Sequence, residues 1–165
     1  MDLGIKLSDS TLITSKTDLQ GRITYCNKDF IRYSGFNEQE VFGKPHSIVR
    51  HQDMPRVVFK ILWQTIKNGE EVFAFVKNKT KNGQHYWVFA NVTPSLDSNN
   101  TTIGYYSVRR KPNPKAIETI IPLYASMMNA EKISLNASET ILNNILKEKN
   151  LPYNELIFSM QENLA

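Results

Sequence analysis

The tetrapeptide KNGQ at 81–84 constrains this chain more than any other feature. It lies between two runs rich in β-branched and aromatic residues, EVFAFVKNKT at 71–80 and HYWVFANVTP at 85–94. Glycine enters the left-handed region without steric cost and asparagine tolerates it, so Asn-Gly between two such runs reverses the chain into an antiparallel hairpin. A two-stranded ribbon is not stable alone in water, so this hairpin must recruit further strands. The sequence offers three: TLITSKTD at 11–18, GRITYCN at 21–27 after a turn at Gly21, and IGYYSVRR at 103–110. Five strands are therefore expected.

Between the second and third strands the apolar period lengthens to that of helices. Asn27 is placed to cap NKDFIRYSGF and Asn37 to cap NEQEVFG, while Pro55 stands at a first-turn position of PRVVFKILWQTIKNGE, which ends at Gly69. In that helix Val58, Ile61, Leu62, Thr65 and Ile66 form a stripe that predicts packing across a sheet. The fold class expected is α+β: a five-stranded antiparallel sheet with short helices and one longer helix over a cavity. The pattern changes near Pro112 and Pro114, which divides the chain into an N-terminal segment at 1–10, a sensor-sized domain at 11–111 and a helical extension at 112–165. The extension reads as three helices, separated near Ser134 and at Pro152. Ile117, Ile120, Ile121 and Tyr124 share one face of the first, and Ile141, Leu142, Ile145 and Leu146 share one face of the second. Such stripes either pack back on the domain or dock on a partner.

Composition excludes several classes. Cys26 is the single cysteine, so an internal disulfide or a multi-cysteine metal or iron–sulfur site is out of reach. At its strand position it reads as a small core residue. The start has no secretory pattern, and no apolar run is long enough to cross a bilayer, so the expected location is the cytosol. The formal net charge of +4 is spread among acids, and the one tight basic run, Arg109–Arg110–Lys111, reads as a solvated strand end rather than a nucleic-acid site. No phosphate loop, nucleophile elbow or zinc-protease motif is present, so an enzyme is not expected.

The order of elements resembles a PAS domain over residues 11–111, carried by TDLQGRITYCNKDFIRYSGFNEQEVFGKPH, KNKTKNGQHYWV and IGYYSVRR. The run PHSIVRHQDMP, followed by Phe59 and Trp63 in an F-x-x-x-W pattern and then by VKN, is similar to the flavin-binding PAS domains of Aer-type aerotaxis sensors. With no receptor signalling module after it, the chain most resembles stand-alone energy-taxis proteins of the CetB type. The resemblance implies a noncovalent FAD-binding redox sensor that relays the flavin state to a separate, CetA-like membrane chemoreceptor. That receptor would recruit it to the inner membrane face, and a homodimer is left open.

The same resemblance implies cofactor-binding roles for Asn27, Arg50, His51, Asp53, Trp63 and Asn78, with no catalytic or metal residues. The chemistry suits those roles. A guanidinium can pair with diphosphate oxygens, His51 can donate or stack, and Asp53 can accept from a ribose or adenine. The Trp63 indole can stack on a flat ring, and the Asn78 amide matches the donor–acceptor edge of a flavin. Spacing alone offers plainer roles: Asp53 as a helix cap paired with Arg50, Trp63 as core, Asn27 as a cap and Asn78 as a turn residue. Tyr86 and Trp87 occupy opposite faces of one strand, so one of them faces the cavity, and the sequence does not choose.

Three departures qualify the resemblance. His46 stands where light-sensing flavin domains carry an adduct-forming cysteine, Val88 stands where they carry a second flavin-facing asparagine, and Val72 stands where Aer has a tryptophan. Two other readings remain open at this level: haem ligated by His46, His51 or His85, and a cofactor-free dimerisation module.

Overall fold

The Asn82-Gly83 reversal forms with a three-residue loop. Thr80 N donates to Gln84 O at 2.8 Å, Gly83 N to Thr80 O at 3.1 Å, and Gly83, at φ 86°, takes the left-handed position while Asn82 does not. This is a turn closed by a left-handed glycine, the commonest alternative to a two-residue Asn-Gly loop. A computed structural model describes residues 4–163; residues 1–3 and 164–165, which belong to the expected N-terminal segment and last helix, lie outside the described residues.

The loop joins β3 (Val72–Lys79) to β4 (His85–Leu96), and β4 turns back into β5 (Thr102–Arg110). β1 (Ile13–Thr17) and β2 (Ile23–Cys26) complete a five-stranded sheet of order β2-β1-β5-β4-β3, antiparallel throughout. Gly104 marks where β5 crosses close to β1, since a Cβ there would lie 2.1 Å from Thr17 O. The expected α+β sheet therefore forms, with the N-terminal strands shorter and β4 longer than the runs suggest.

The helices divide between the two faces. α1 (Lys28–Ser34) starts at Asn27, whose side chain accepts from Phe30 N, and α2 (Glu38–Val41) starts at Asn37 in a reciprocal capping box with Glu40. A 3-10 turn at His46–Val49 and the longer α3 (Arg56–Lys67) follow, and with α1 and α2 they cover the inner face. α4 (Pro114–Glu131), α5 (Leu135–Lys149) and α6 (Tyr153–Glu162) form the extension, begun at Asn113, Ser134 and Pro152. Their apolar stripes turn inward: Ile117, Ile120, Tyr124, Met127, Leu142, Leu156 and Ile157 are all buried. The outer sheet face receives them through Trp87 against Tyr124, Phe73 against Phe158, and a bond from Tyr124 Oη to Phe75 O at 2.7 Å. The extension thus packs back on its own sheet.

The two aromatics of β4 divide between the faces, and neither reaches the lining of the inner cavity. Trp87 points outward to α4, whereas Tyr86 points inward, in register with Asn78 and 6.0 Å from the Tyr33 ring of α1. Both sheet edges are partly occupied as well. Ile23 N donates to Lys44 O, His51 N donates to Lys77 O, and the Asn154 amide bonds both Phe73 N and Glu71 O. Occupied edges resist pairing with other chains.

Candidate functional site

Period two on the strands and period 3.6 on α3 leave a cavity of about 320 Å³ between the inner sheet face and that helix. α3 presents Phe59, Leu62, Trp63 and Ile66, which recur at helical spacing; the sheet presents Val76, Asn78, Ala90, Val92, Tyr105, Ser107 and Arg109, with Ser15 and Thr17 from β1. Of the stripe expected on this helix, Leu62 and Ile66 face the cavity while Val58 is buried in the surrounding core. Exposed Gln20, Pro45 and Ser47 line the opening. Gly21 is required beside it: its φ is 78°, and a Cβ would come within 3.0 Å of the Trp63 ring. Trp63 in turn meets Tyr105 edge-on at 5.5 Å. The volume falls within the usual range for small-molecule pockets.

The polar lining carries an unusual charge. Arg109 is 2% exposed, and its guanidinium bonds Ser15 Oγ and, at 3.2 Å, His46 Nε2, with the Phe30 ring 5.3 Å away. A guanidinium only donates, so His46 Nε2 accepts and the proton of the neutral ring sits on Nδ1; the Ser15 hydroxyl, 2.9 Å away, donates to the same nitrogen. These partners are neutral. Among the described residues no carboxylate lines the cavity, and Arg109 Nε has no partner. Burial pushes the Arg109 guanidinium down to about 10. His46 is pushed from 6.5 to about 3, by desolvation first and by the Arg109 charge second, although part of its surface opens to the cavity. Arg50 supplies a second cation, its guanidinium 3.5 Å from the Phe59 ring centre and its Nε unpartnered among the described residues. Its pKa is also lowered by burial. Asn78 completes the set, 3% exposed; its buried amide Nδ2 makes no hydrogen bond of full geometry among the described residues, although the hydroxyl of its cross-strand partner Tyr86 lies within reach. Buried polar groups in native proteins are nearly always satisfied, so these donors around one cavity are places where water or a ligand would supply acceptors.

The residues singled out by sequence divide evenly. Arg50, Trp63 and Asn78 come together in the lining, and an antiparallel bridge between Arg50 and Asn78 holds the RHQDMP segment against β3. Asn27, His51 and Asp53 lie outside it. The Asn27 amide is used locally, accepting from Phe30 N and Thr14 N and donating to Leu12 O at 2.6 Å. His51 Nδ1 accepts from Asp53 N at 3.0 Å, and the Asp53 carboxylate, lowered mainly by its bond to Lys77 at 2.8 Å, is half exposed. These contacts shape the turn that carries Arg50.

Sequence reasoning misplaced Arg109, which is a buried wall residue and not part of a solvated strand end. Alternation from Tyr105 through Ser107 to Arg109 is the signal that puts it inside. Ser15 was hidden because its partners are remote in sequence. Among the three histidines, His46 alone lines the cavity, and its Nε2 is engaged by Arg109 and Ser15, an arrangement poorly suited to haem ligation. Cys26 is half-buried with its thiol pushed up by burial, the opposite of nucleophile activation. Val72 packs with Ile66 and Tyr105 at one end of the wall, and Val88 is fully buried on the inner face.

The family model described as the PAS fold matches residues 8–110. The aerotaxis receptor of Escherichia coli is 43% identical over 128 residues, covering 78% of this chain and 25% of the receptor. The nitrogen fixation regulatory protein of Klebsiella pneumoniae is 23% identical over 104 residues, covering 63% of this chain and 21% of that protein. The chain therefore spans a quarter or less of the length of these relatives. Among solved structures, a PAS domain from Colwellia psychrerythraea superposes with a TM-score of 0.56 at 19% identity, over 62% of this chain and 88% of that one. A light-oxygen-voltage domain studied with a flavin analogue superposes at 0.59 and 16% identity, over 67% and 83%. Both likenesses concern the fold.

Proposed function

We infer the function from one premise: this chain belongs to the PAS family, the signalling modules to which its aerotaxis-receptor relative is also similar. On that premise we propose that it is a redox or energy sensor for energy taxis that binds FAD in the cavity between α3 and the sheet. The observation that carries the proposal is the pair of guanidiniums, Arg50 and Arg109, in an aromatic cavity that no carboxylate of the described residues lines. An uncompensated buried cation is costly, and an anionic ligand removes that cost. The buried Asn78 amide and the Trp63–Tyr105 wall fit a flat ring system whose edge both donates and accepts.

A bound flavin supplies reversible one- and two-electron chemistry. The residues of this chain divide the remaining tasks. Trp63, Phe59 and Leu62 would exclude water and hold a planar ligand against the sheet, and Asn78 would bond its polar edge. Arg50 would supply the cation for a diphosphate. Arg109 places a fixed positive charge in the wall, held in position by Ser15 and His46. Relay to a separate, CetA-like membrane chemoreceptor, and with it recruitment to a membrane surface, is the part of the proposal that rests on the resemblance to stand-alone energy-taxis sensors. Among the described residues no helix is long and apolar enough to cross a membrane.

The test is the absorption spectrum of the purified protein before and after dithionite, with mass analysis of the released cofactor. Two flavin bands that bleach on reduction, and a released mass of FAD, are expected. A colourless protein that takes up neither FAD nor FMN, or one showing a Soret band, overturns the proposal.

A further inference from the structure

α3 forms one wall of the cavity, yet its own sequence does not finish its N-terminus. The N-cap is Pro55, no side chain caps it locally, and the first turn contains no acid. The first amides of a helix need acceptors. Glu131, the last residue of α4, supplies one from 74 residues away: its Oε1 accepts from Val57 N at 3.1 Å. The same oxygen accepts from buried Ser138 Oγ at 3.3 Å, and Oε2 lies 3.5 Å from Arg56 Nε. The Glu131 side chain is 10% exposed, so these contacts are shielded, and a carboxylate at a helix N-terminus is favoured by the helix dipole. One turn further along, Lys60 Nζ meets Glu139 Oε2 of α5 at 2.5 Å. Phe59, Leu62 and Trp63 face the cavity from the same stretch of helix. α3 is thus held between the ligand cavity and two acids of the extension.

We propose that Glu131 is a positioning residue that couples occupancy of the cavity to docking of the α4–α5 hairpin, so that the cofactor site and the extension behave as one two-state unit. This rests on the flavin reading of the cavity. The coupling is physical: the Glu131 contacts form only where the first turn of α3 sits within reach, and a ligand against Phe59 and Trp63 fixes where that turn sits. Linkage makes the effect reciprocal, so whatever the ligand contributes to docking, docking contributes to ligand affinity.

Hydrogen exchange on the full chain without ligand is the first arm. In Glu131→Ala, amides in the first turn of α3 and in α5 exchange faster together, about tenfold, a middling coupling between sites, while β3 and β4 are unchanged. Glu131→Gln, which keeps an acceptor oxygen, restores most of the protection. If Glu131→Ala does not fold, Glu139→Gln gives the same paired readout through Lys60. The second arm is FAD titration: FAD slows α5 exchange in the wild type, and Glu131→Ala weakens FAD binding by the factor by which it speeds α5 opening. Independent behaviour of α3 and α5, or FAD affinity unchanged while α5 opens, overturns the coupling. A wild-type protein that binds no flavin overturns the flavin reading instead, and the exchange arm then decides the Glu131 contact by itself.

Discussion

The two faces of the sheet are built from the same strands and do opposite things. The outer face is the more densely packed: Phe73, Phe75, Trp87 and Phe89 lie under α4 and α6 in close aromatic contact, with the Phe73 and Phe89 rings stacked at 5.6 Å, while a second pocket opens beside Trp87 and Tyr124. The inner face holds Ser15, Thr17, Asn78, Ala90, Ser107 and Arg109, and between them and α3 there is room for a ligand. Dense packing maximises dispersion and apolar burial, so the outer face carries stability. The inner face keeps polar donors unpaired and a cation buried, features that cost stability in the ligand-free chain. Substitutions on the two faces should therefore fail differently.

The largest effect is expected outside. Tyr124→Ala removes a buried ring and the donor to Phe75 O, and should lower stability by about 3–5 kcal/mol while FAD stoichiometry stays at wild-type level under folded conditions. Denaturant melts with and without FAD measure both quantities; a stable variant that lost FAD would invert the comparison. Inside, Ala90→Leu projects a larger side chain into the cavity. Its expected cost is in affinity, about a hundredfold or about 2.7 kcal/mol by titration, with an apo protein that still melts cooperatively.

Arg109→Met sharpens the argument through its sign. If the guanidinium is there for a ligand, an apolar side chain of similar length leaves the apo protein within about 1 kcal/mol of wild type or more stable, and weakens FAD binding about tenfold. A loss of several kcal/mol in the apo protein would make Arg109 a structural residue. A subtler effect appears in acid. His46 takes up a proton near pH 6.5 when unfolded and near 3 when folded, so the unfolded state binds more protons in that window. Stability is then full above the upper value and falls as pH drops toward the lower one, by up to about 1.4 kcal/mol per pH unit. His46→Gln should flatten that slope in melts taken across the window. Smallest of all, Cys26→Ala should leave flavin reduction by dithionite unchanged, because the thiol is half-buried and outside the cavity lining; loss of reduction in the folded variant would give Cys26 a role the geometry does not.

What the sequence determined by itself is what short-range chemistry decides. Gly83 reverses the chain because it alone enters the left-handed region cheaply, Asn27 and Asn37 begin helices because their amides reach amides three residues on, and period-two runs make strands. That Arg50, Trp63 and Asn78 share one cavity lining follows the motif, and Asn27 caps as its spacing suggests, but the engagement of His51 and Asp53 within the turn that carries Arg50 was not legible, since a motif records positions and not which atoms are already bonded. Tertiary structure decided the rest. Arg109 is a buried cation because Ser15, 94 residues away, and His46, 63 away, receive its donors. The stripe on α4 faces inward because an uncovered aromatic sheet lies within its reach, that on α5 because α4 and α3 receive it, and α3 is capped by an acid beyond the end of the sheet. Cavities, buried charges and remote caps arise where distant segments meet, and no window of local sequence contains both partners.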